Sequence, residues 1–148
     1  MRHDPRLADR TSYPHHVVLP TMFSDMDVQR HVNNVAIARF FEEGRYSLHR
    51  AIVAEVPDEF SSVILAGFQI AYLREVGYPG TVEVAVGTGR FGRSSYDYVA
   101  ALFQDGECAA LNWATHVRRT DDRTASQSLS ELERKALQRF VVPGAAPS

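Results

Sequence analysis

The hydrophobic pattern along the chain changes period twice. Residues 16–24 (HVVLPTMFS) read as a first strand, and Pro20 suits an edge position or a bulge there. The polar stretch SDMDVQRHVNN follows as a loop. From 33 to 54, Ile37, Phe40, Phe41, Gly44, Leu48, Ala51 and Ile52 recur at spacings of three and four. That spacing predicts one long helix with a single apolar stripe, capped by Asn33 or Asn34. Arg39, Glu42, Arg45 and Arg50 fall mostly off the stripe. Gly44 in mid-helix costs about 1 kcal/mol against Ala, which predicts a close approach of other backbone. From residue 61 the period becomes two: Phe68, Ile70 and Tyr72, then Val82, Val84 and Val86, alternate with their neighbours. Tyr78-Pro79-Gly80 and the segment from Phe91 to Ser95 read as turns, and Asp105-Gly106 is a strong hairpin signal. Strands are expected over 96–103 and 108–119, and Ser130-Glu131-Leu132-Glu133 fits a capping box opening a short helix to about residue 140.

The predicted order is strand, long helix, then four consecutive strands with short connections. Hairpin-length connections imply antiparallel pairing. One antiparallel sheet with one apolar helix must wrap around that helix to bury it, so the fold class is α+β with a five-stranded sheet around a central helix. One sheet face is left incompletely covered, which favours association through the sheet. The polar ends, 1–14 and 142–148, read as a loose arm and a tail around a single domain over 15–141.

Composition narrows the function classes. With 148 residues one domain is expected, and 45% hydrophobic against 23% charged residues is ordinary for a globular protein. Sixteen Lys+Arg against eighteen Asp+Glu give a formal charge of −2, which leaves no basic footprint for nucleic acid or an anionic membrane surface. Apolar runs fall far short of the ~20 residues that span a bilayer, and the N-terminus lacks the apolar core of a signal peptide, so a cytoplasmic location is expected. Cys108 is the only cysteine, which excludes an internal disulfide and a Cys-rich zinc site. His15-His16 has no identifiable third ligand nearby, so no metal is expected.

The densest polar cluster is the loop from Phe23 to Asn34, between a strand and a helix start. Open backbone N–H groups and the positive end of the helix dipole can hold a developing oxyanion there. A carboxylate a few residues upstream can attack a carbonyl or activate water beside it. Acyl transfer needs those two elements side by side.

The run DMDVQRHVNN followed by FFEEGR resembles the hotdog-fold acyl-CoA thioesterases of the 4-hydroxybenzoyl-CoA thioesterase-like branch. It is also similar to the plant acyl-ACP thioesterases, whose loop reads D-x-N-x-H-V-N-N. The resemblance covers roughly residues 16–140, and HVNN directly before the helix is its most specific part. It implies a hotdog fold and hydrolysis of acyl-CoA to free acid and CoA, with no cofactor beyond the CoA of the substrate. It implies Asp27 as nucleophile or general base, Asn34 at the helix start as the oxyanion site, and His31, Gln29 and Glu43 as further catalytic candidates. Asn33, Phe40 and Phe68 are expected around the substrate, with Phe41 beside them, and the Arg93-Ser94-Ser95 turn near the CoA phosphates. Sites between the protomers of a homodimer or a dimer-of-dimers tetramer are expected. Three departures stand out: Gln29 replaces the Asn of the acyl-ACP pattern, Arg30 stands where many acyl-CoA members have Gly, and Val76 stands near where acyl-ACP enzymes carry a Cys.

Local chemistry supplies plainer readings as well. Asp25 hydrogen-bonds the loop backbone or tunes Asp27, Glu42 is solvated, and Glu43 pairs with Arg39 or Arg45. The (R)-specific enoyl-CoA hydratases are an unfavoured rival, because their histidine follows the aspartate by five residues and His31 follows Asp27 by four. Hydrolysis of acyl-ACP, or non-catalytic binding of acyl-CoA or acyl carrier protein, is the alternative.

Overall fold

A computed structural model describes residues 3–145. The elements run β1 (His15–Pro20), α1 (Asn34–Glu55), β2 (Val63–Tyr72), β3 (Thr81–Phe91), β4 (Ser95–Gln104), β5 (Glu107–Arg118) and α2 (Glu131–Gln138), with short 3-10 turns at Pro5–Ala8, Arg10–Ser12 and Phe23–Asp25. The five strands pair antiparallel throughout, in the order β1-β3-β4-β5-β2. The sheet wraps α1, giving the expected hotdog architecture.

The strand order departs from a simple meander. β3, β4 and β5 do follow one another through tight turns, and Asp105 and Gly106 at φ 52 and 79 form the hairpin their types predict. β2 instead pairs with β5 at the far edge, so the stretch from Leu73 to Gly80 crosses the β4–β5 turn end of the sheet, where Gly77 N donates to Gln104 Oε1 (2.8 Å), and is not a hairpin. The amides of Leu73 and Arg74 both donate to Ala109 O, and Val76 O accepts from Val32 N (2.9 Å). This crossover therefore runs beside the 23–34 loop. The first strand also ends earlier than expected: Thr21 N bonds Gly80 O, and a 3-10 turn takes Phe23–Asp25.

Alternation sorts the strands into two layers of core. Val82, Val84 and Val86 with Tyr96, Tyr98, Ala100 and Leu102 face α1, where they meet Phe40, Phe41, Leu48 and Ile52, each of those four with no exposed surface. Gly44 sits on Val84, whose Cγ1 occupies the space a Cβ would need. The close approach is thus by a sheet side chain rather than by backbone. Arg45 lies off the predicted stripe yet is only 7% exposed.

The opposite face of the sheet is not open. Leu7, Tyr13 and Val142 cover Ala85, Val99, Ala101, Phe103 and Leu111. Tyr13 Oη donates to Leu7 O (2.6 Å), and Arg10 pairs with Glu83. The arm and tail expected to be loose are therefore packed over residues 4–14 and 142–145; residues 1–2 and 146–148 lie outside the described residues. Their apolar side chains are too few for hydropathy to reveal a sheet-covering role.

The C-terminal helix is tied down by Glu133, which is fully buried. It accepts from Ser130 N (2.7 Å) in the expected capping box, from Phe60 N (2.8 Å), and from Arg118 Nε (2.8 Å). Burial alone would raise its carboxyl pKa; the two backbone N–H groups and the Arg118 guanidinium overcome that and lower it.

Candidate active site

The 23–34 loop closes on itself. Met26 and Val32 form an isolated antiparallel bridge, Asp27 N donates to His31 O (3.0 Å), and Arg30 N donates to Asp27 O (3.1 Å). This tight turn places Arg30 at φ 63, the left-handed conformation that a glycine would take without strain. The departure noted in the sequence, arginine in place of glycine, therefore sits at a strained backbone position.

The two aspartates of the loop separate in role. Asp25 is 7% exposed: its carboxylate accepts from Met22 N (2.8 Å) and Arg39 Nη2 (2.8 Å), and its carbonyl accepts from Asn33 N (2.8 Å). It braces the loop against the first turns of α1, and the bond from Met22 N is the expected contact with the loop backbone. Asp27 is exposed. Its Oδ1 accepts from Gln29 N (2.9 Å) and, at 3.4 Å, from His31 N, while Oδ2 makes no hydrogen bond among the described residues. Two backbone donors fix the orientation of the carboxylate and leave one oxygen for chemistry.

The helix start lies in the same cleft. Asn33 is the N-cap, its Oδ1 accepting from Ala36 N (2.8 Å), which leaves the N–H groups of Asn34 and Val35 as the open donors of the first turn. A cleft of about 360 Å³ is lined by Asp27, Gln29, His31, Val32, Asn34 and Ile37 on one side and by residues 72–76 of the crossover on the other. His31 Nε2 lies 2.9 Å from Glu75 Oε2. Glu75 escaped the sequence reading, because only the crossover of β2 to the far edge brings it here.

Other expected site residues lie elsewhere. Phe40 is wholly buried in the inner core with Phe41 and is not among the residues lining the Asp27 cleft. Glu43 is nine residues beyond Asn34, about 13 Å along the helix axis; it is exposed and lines a second groove with Arg39, Glu42, Arg45, Tyr46 and His49. It makes neither expected ion pair: Arg39 turns to Asp25, and Arg45 bonds Asn112. Phe68 is 53% exposed on the edge strand. The Arg93-Ser94-Ser95 turn sits at the opposite end of β3 from the loop, roughly 33 Å of strand away within one chain. It is engaged there, with Arg93 Nε donating to Ser128 Oγ, Leu129 N donating to Arg93 O, and Arg118 N donating to Ser94 O.

The remaining sequence candidates are structural. His15 Nε2 lies 2.8 Å from Ser47 Oγ, and His16 Nε2 lies 2.9 Å from Tyr13 O. Among the described residues no group of three or more His, Cys, Asp or Glu is placed to hold a metal ion. Burial pushes the Cys108 thiol up to about 11, away from thiolate chemistry. No helix among the described residues is long and apolar enough to cross a membrane.

Comparison with known proteins decides the family. Residues 22–131 match the thioesterase-like superfamily. The chain belongs to that superfamily. A thioesterase from Thermus thermophilus, solved in complex with coenzyme A and Zn, is similar at 28% identity and a TM-score of 0.76, over 85% of this chain and 98% of that one. A protein from Pseudomonas aeruginosa strain PAO1 is similar at 25% identity and a TM-score of 0.74, over 91% and 96% of the two chains. A predicted thioesterase from Bacillus stearothermophilus shares the fold at 22% identity and a TM-score of 0.76, over 90% and 98%. No curated protein matches the chain.

Proposed function

We propose that this thioesterase-superfamily chain hydrolyses acyl-CoA thioesters. The observation that carries the reading is the cleft in which a half-free carboxylate, Asp27, stands beside the open first turn of α1. The thioester carbonyl oxygen sits over the Asn34 and Val35 N–H groups, which donate to it more strongly as it becomes an oxyanion. Asp27 takes a proton from water as the water oxygen bonds the carbonyl carbon. Collapse of the tetrahedral intermediate then breaks the C–S bond, and the CoA sulfur leaves with a proton. Direct attack by Asp27 through an anhydride uses the same two elements. His31, oriented by Glu75, is placed to pass the proton to the leaving sulfur. The coenzyme A held by the Thermus relative supports a CoA substrate, and the loop resemblance supports the 4-hydroxybenzoyl-CoA thioesterase-like branch.

We also place the working unit in a homodimer. The outer edge of β2 has no strand partner among the described residues, and Ile64, Phe68, Tyr72 and Leu73 are exposed along it. A second copy supplies the missing strand. It would also bring an Arg93-Ser94-Ser95 turn for the CoA phosphates, which the turn of the same chain, at the opposite end of β3, does not supply.

Thiol release from short, medium, long and aromatic acyl-CoAs, measured with wild type and Asp27→Asn, tests the reading. Turnover in the wild type that falls by about 10²-fold or more in the variant supports it. Unchanged turnover in Asp27→Asn removes Asp27 from the mechanism. No turnover from any acyl-CoA, with turnover from acyl-ACP, moves the substrate to the carrier protein.

A further inference from the structure

Four charged side chains are buried among the described residues: Asp25, Arg45, Arg118 and Glu133. Three of them have ion-pair partners, Asp25 with Arg39 and Arg118 with Glu133. Arg45 has none. Its Nη1 donates to Asn112 Oδ1 (2.6 Å), and its guanidinium carbon lies 5.9 Å from the centre of the Phe68 ring. The Nε and Nη2 donors make no hydrogen bond among the described residues. Asn112 is itself fixed, because its Nδ2 donates to Gln69 O (3.0 Å). The two open donors of Arg45 are not among the buried side-chain atoms that lack a partner, so they remain reachable, and a rigid guanidinium with reachable open donors is a site that favours an anion.

Arg45 forms part of a groove of about 460 Å³ between α1 and the inner face of β2. Val63 and Leu65 give it an apolar floor, and Tyr98, His49 and His116 close it around Arg45. Tyr98 Oη lies 3.4 Å from His49 Nδ1, and the His116 ring stacks on Tyr96. Burial holds both imidazoles below their usual range, His116 at about 4, so neither competes with Arg45 as the cation. Glu42 and Glu43 also line the groove, but both are exposed, and neither comes within ion-pair distance of Arg45. Their charge repels an anion left at the mouth and leaves the Arg45 end as the favourable seat.

We infer that this groove receives the carboxylate-bearing end of an acyl chain, so that the thioesterase acts on mono-CoA thioesters of dicarboxylic acids, with Arg45 as the residue that selects them. The inference rests on the proposed acyl-CoA hydrolysis and adds the acyl class to it. The guanidinium fork matches a carboxylate with two parallel N–H donors, and the apolar floor carries the methylenes. Arg45 is eleven residues from Asn34, about 16 Å of helix axis. Within one chain that span suits a long diacid.

The test compares kcat/KM for paired substrates of equal chain length, one ending in a carboxylate and one in a methyl group, from six to sixteen carbons. Wild type is expected to favour the carboxylate-ended member at its best length by about 10- to 100-fold, the value of one charge-assisted hydrogen-bonded pair. Arg45→Met is expected to lose that preference. Equal or better turnover of the methyl-ended member at every length overturns the inference while leaving the hydrolase reading intact, and it needs no variant. If no thioester of either kind turns over, the hydrolase reading fails, and thermal unfolding with the free acids decides the groove. A rise in Tm with free diacids and not with monoacids supports the site, and no difference between the two overturns it.

Discussion

Asp25 and Asp27 stand two residues apart in one loop, yet Asp25 is buried against Arg39 at 2.8 Å while Asp27 is exposed with one free carboxylate oxygen. The alternation follows from the turn: one side chain points back to α1 and the next points into the cleft. Asp25→Ala removes the acceptor for Met22 N and the partner of Arg39. It is expected to cost about 1–3 kcal/mol in chemical denaturation and to lower turnover by loosening the Asp27 turn. Asp25→Asn keeps an acceptor oxygen and should lose less on both counts.

Arg30 tests backbone strain directly. At φ 63 a glycine removes the clash of the Cβ with the backbone, although it adds freedom to the unfolded chain. Arg30→Gly is expected to raise stability by up to about 1 kcal/mol, whereas Arg30→Ala should not, and the two denaturation midpoints compare them.

Gly44 and Val84 are expected to behave as a coupled pair. Gly44→Ala improves helix propensity but drives a methyl into Val84 Cγ1, and should destabilise by about 1–3 kcal/mol. In the Val84→Ala background the same change should cost far less. A double-mutant cycle reads that coupling.

Half-buried His116 and buried Glu133 are expected to limit stability in acid. The unfolded chain takes up a proton on His116 below its ordinary pKa of 6.5, and the folded chain resists to about 4, so stability falls as pH drops through that window. Glu133, whose folded pKa is lowered from 4.5, contributes stability above 4.5 that is lost as pH falls further. Urea midpoints from pH 7 to 3 should flatten in the upper window with His116→Gln and in the lower one with Glu133→Gln, the latter also being less stable at pH 7.

Local chemistry was legible in the sequence wherever a short stretch determines it. The Asn33 cap, the Ser130–Glu133 box, the Asp105-Gly106 hairpin and the inward set Val82, Val84 and Val86 all depend on neighbours within four residues. What could not be read depends on chain separation. Whether the segment after Tyr72 turns back or crosses to the far edge is settled by the bonds of Leu73 and Arg74 to Ala109, more than thirty residues on. Glu75 joins His31 only as a result. Arg45 similarly looks like one more surface cation until Asn112 and Phe68 enclose it.

The packing of both terminal segments on one face of the sheet brings Asp4 and Gly144 together: a Cβ on Gly144 would meet the carboxyl group of Asp4. A short linker from Gly144 to Asp4, with new termini cut at the exposed Asp105-Gly106 turn, is expected to give a circular permutant with the same sheet order, whereas trimming the chain to residues 15–141 would strip cover from Phe103 and Val99 and invite aggregation.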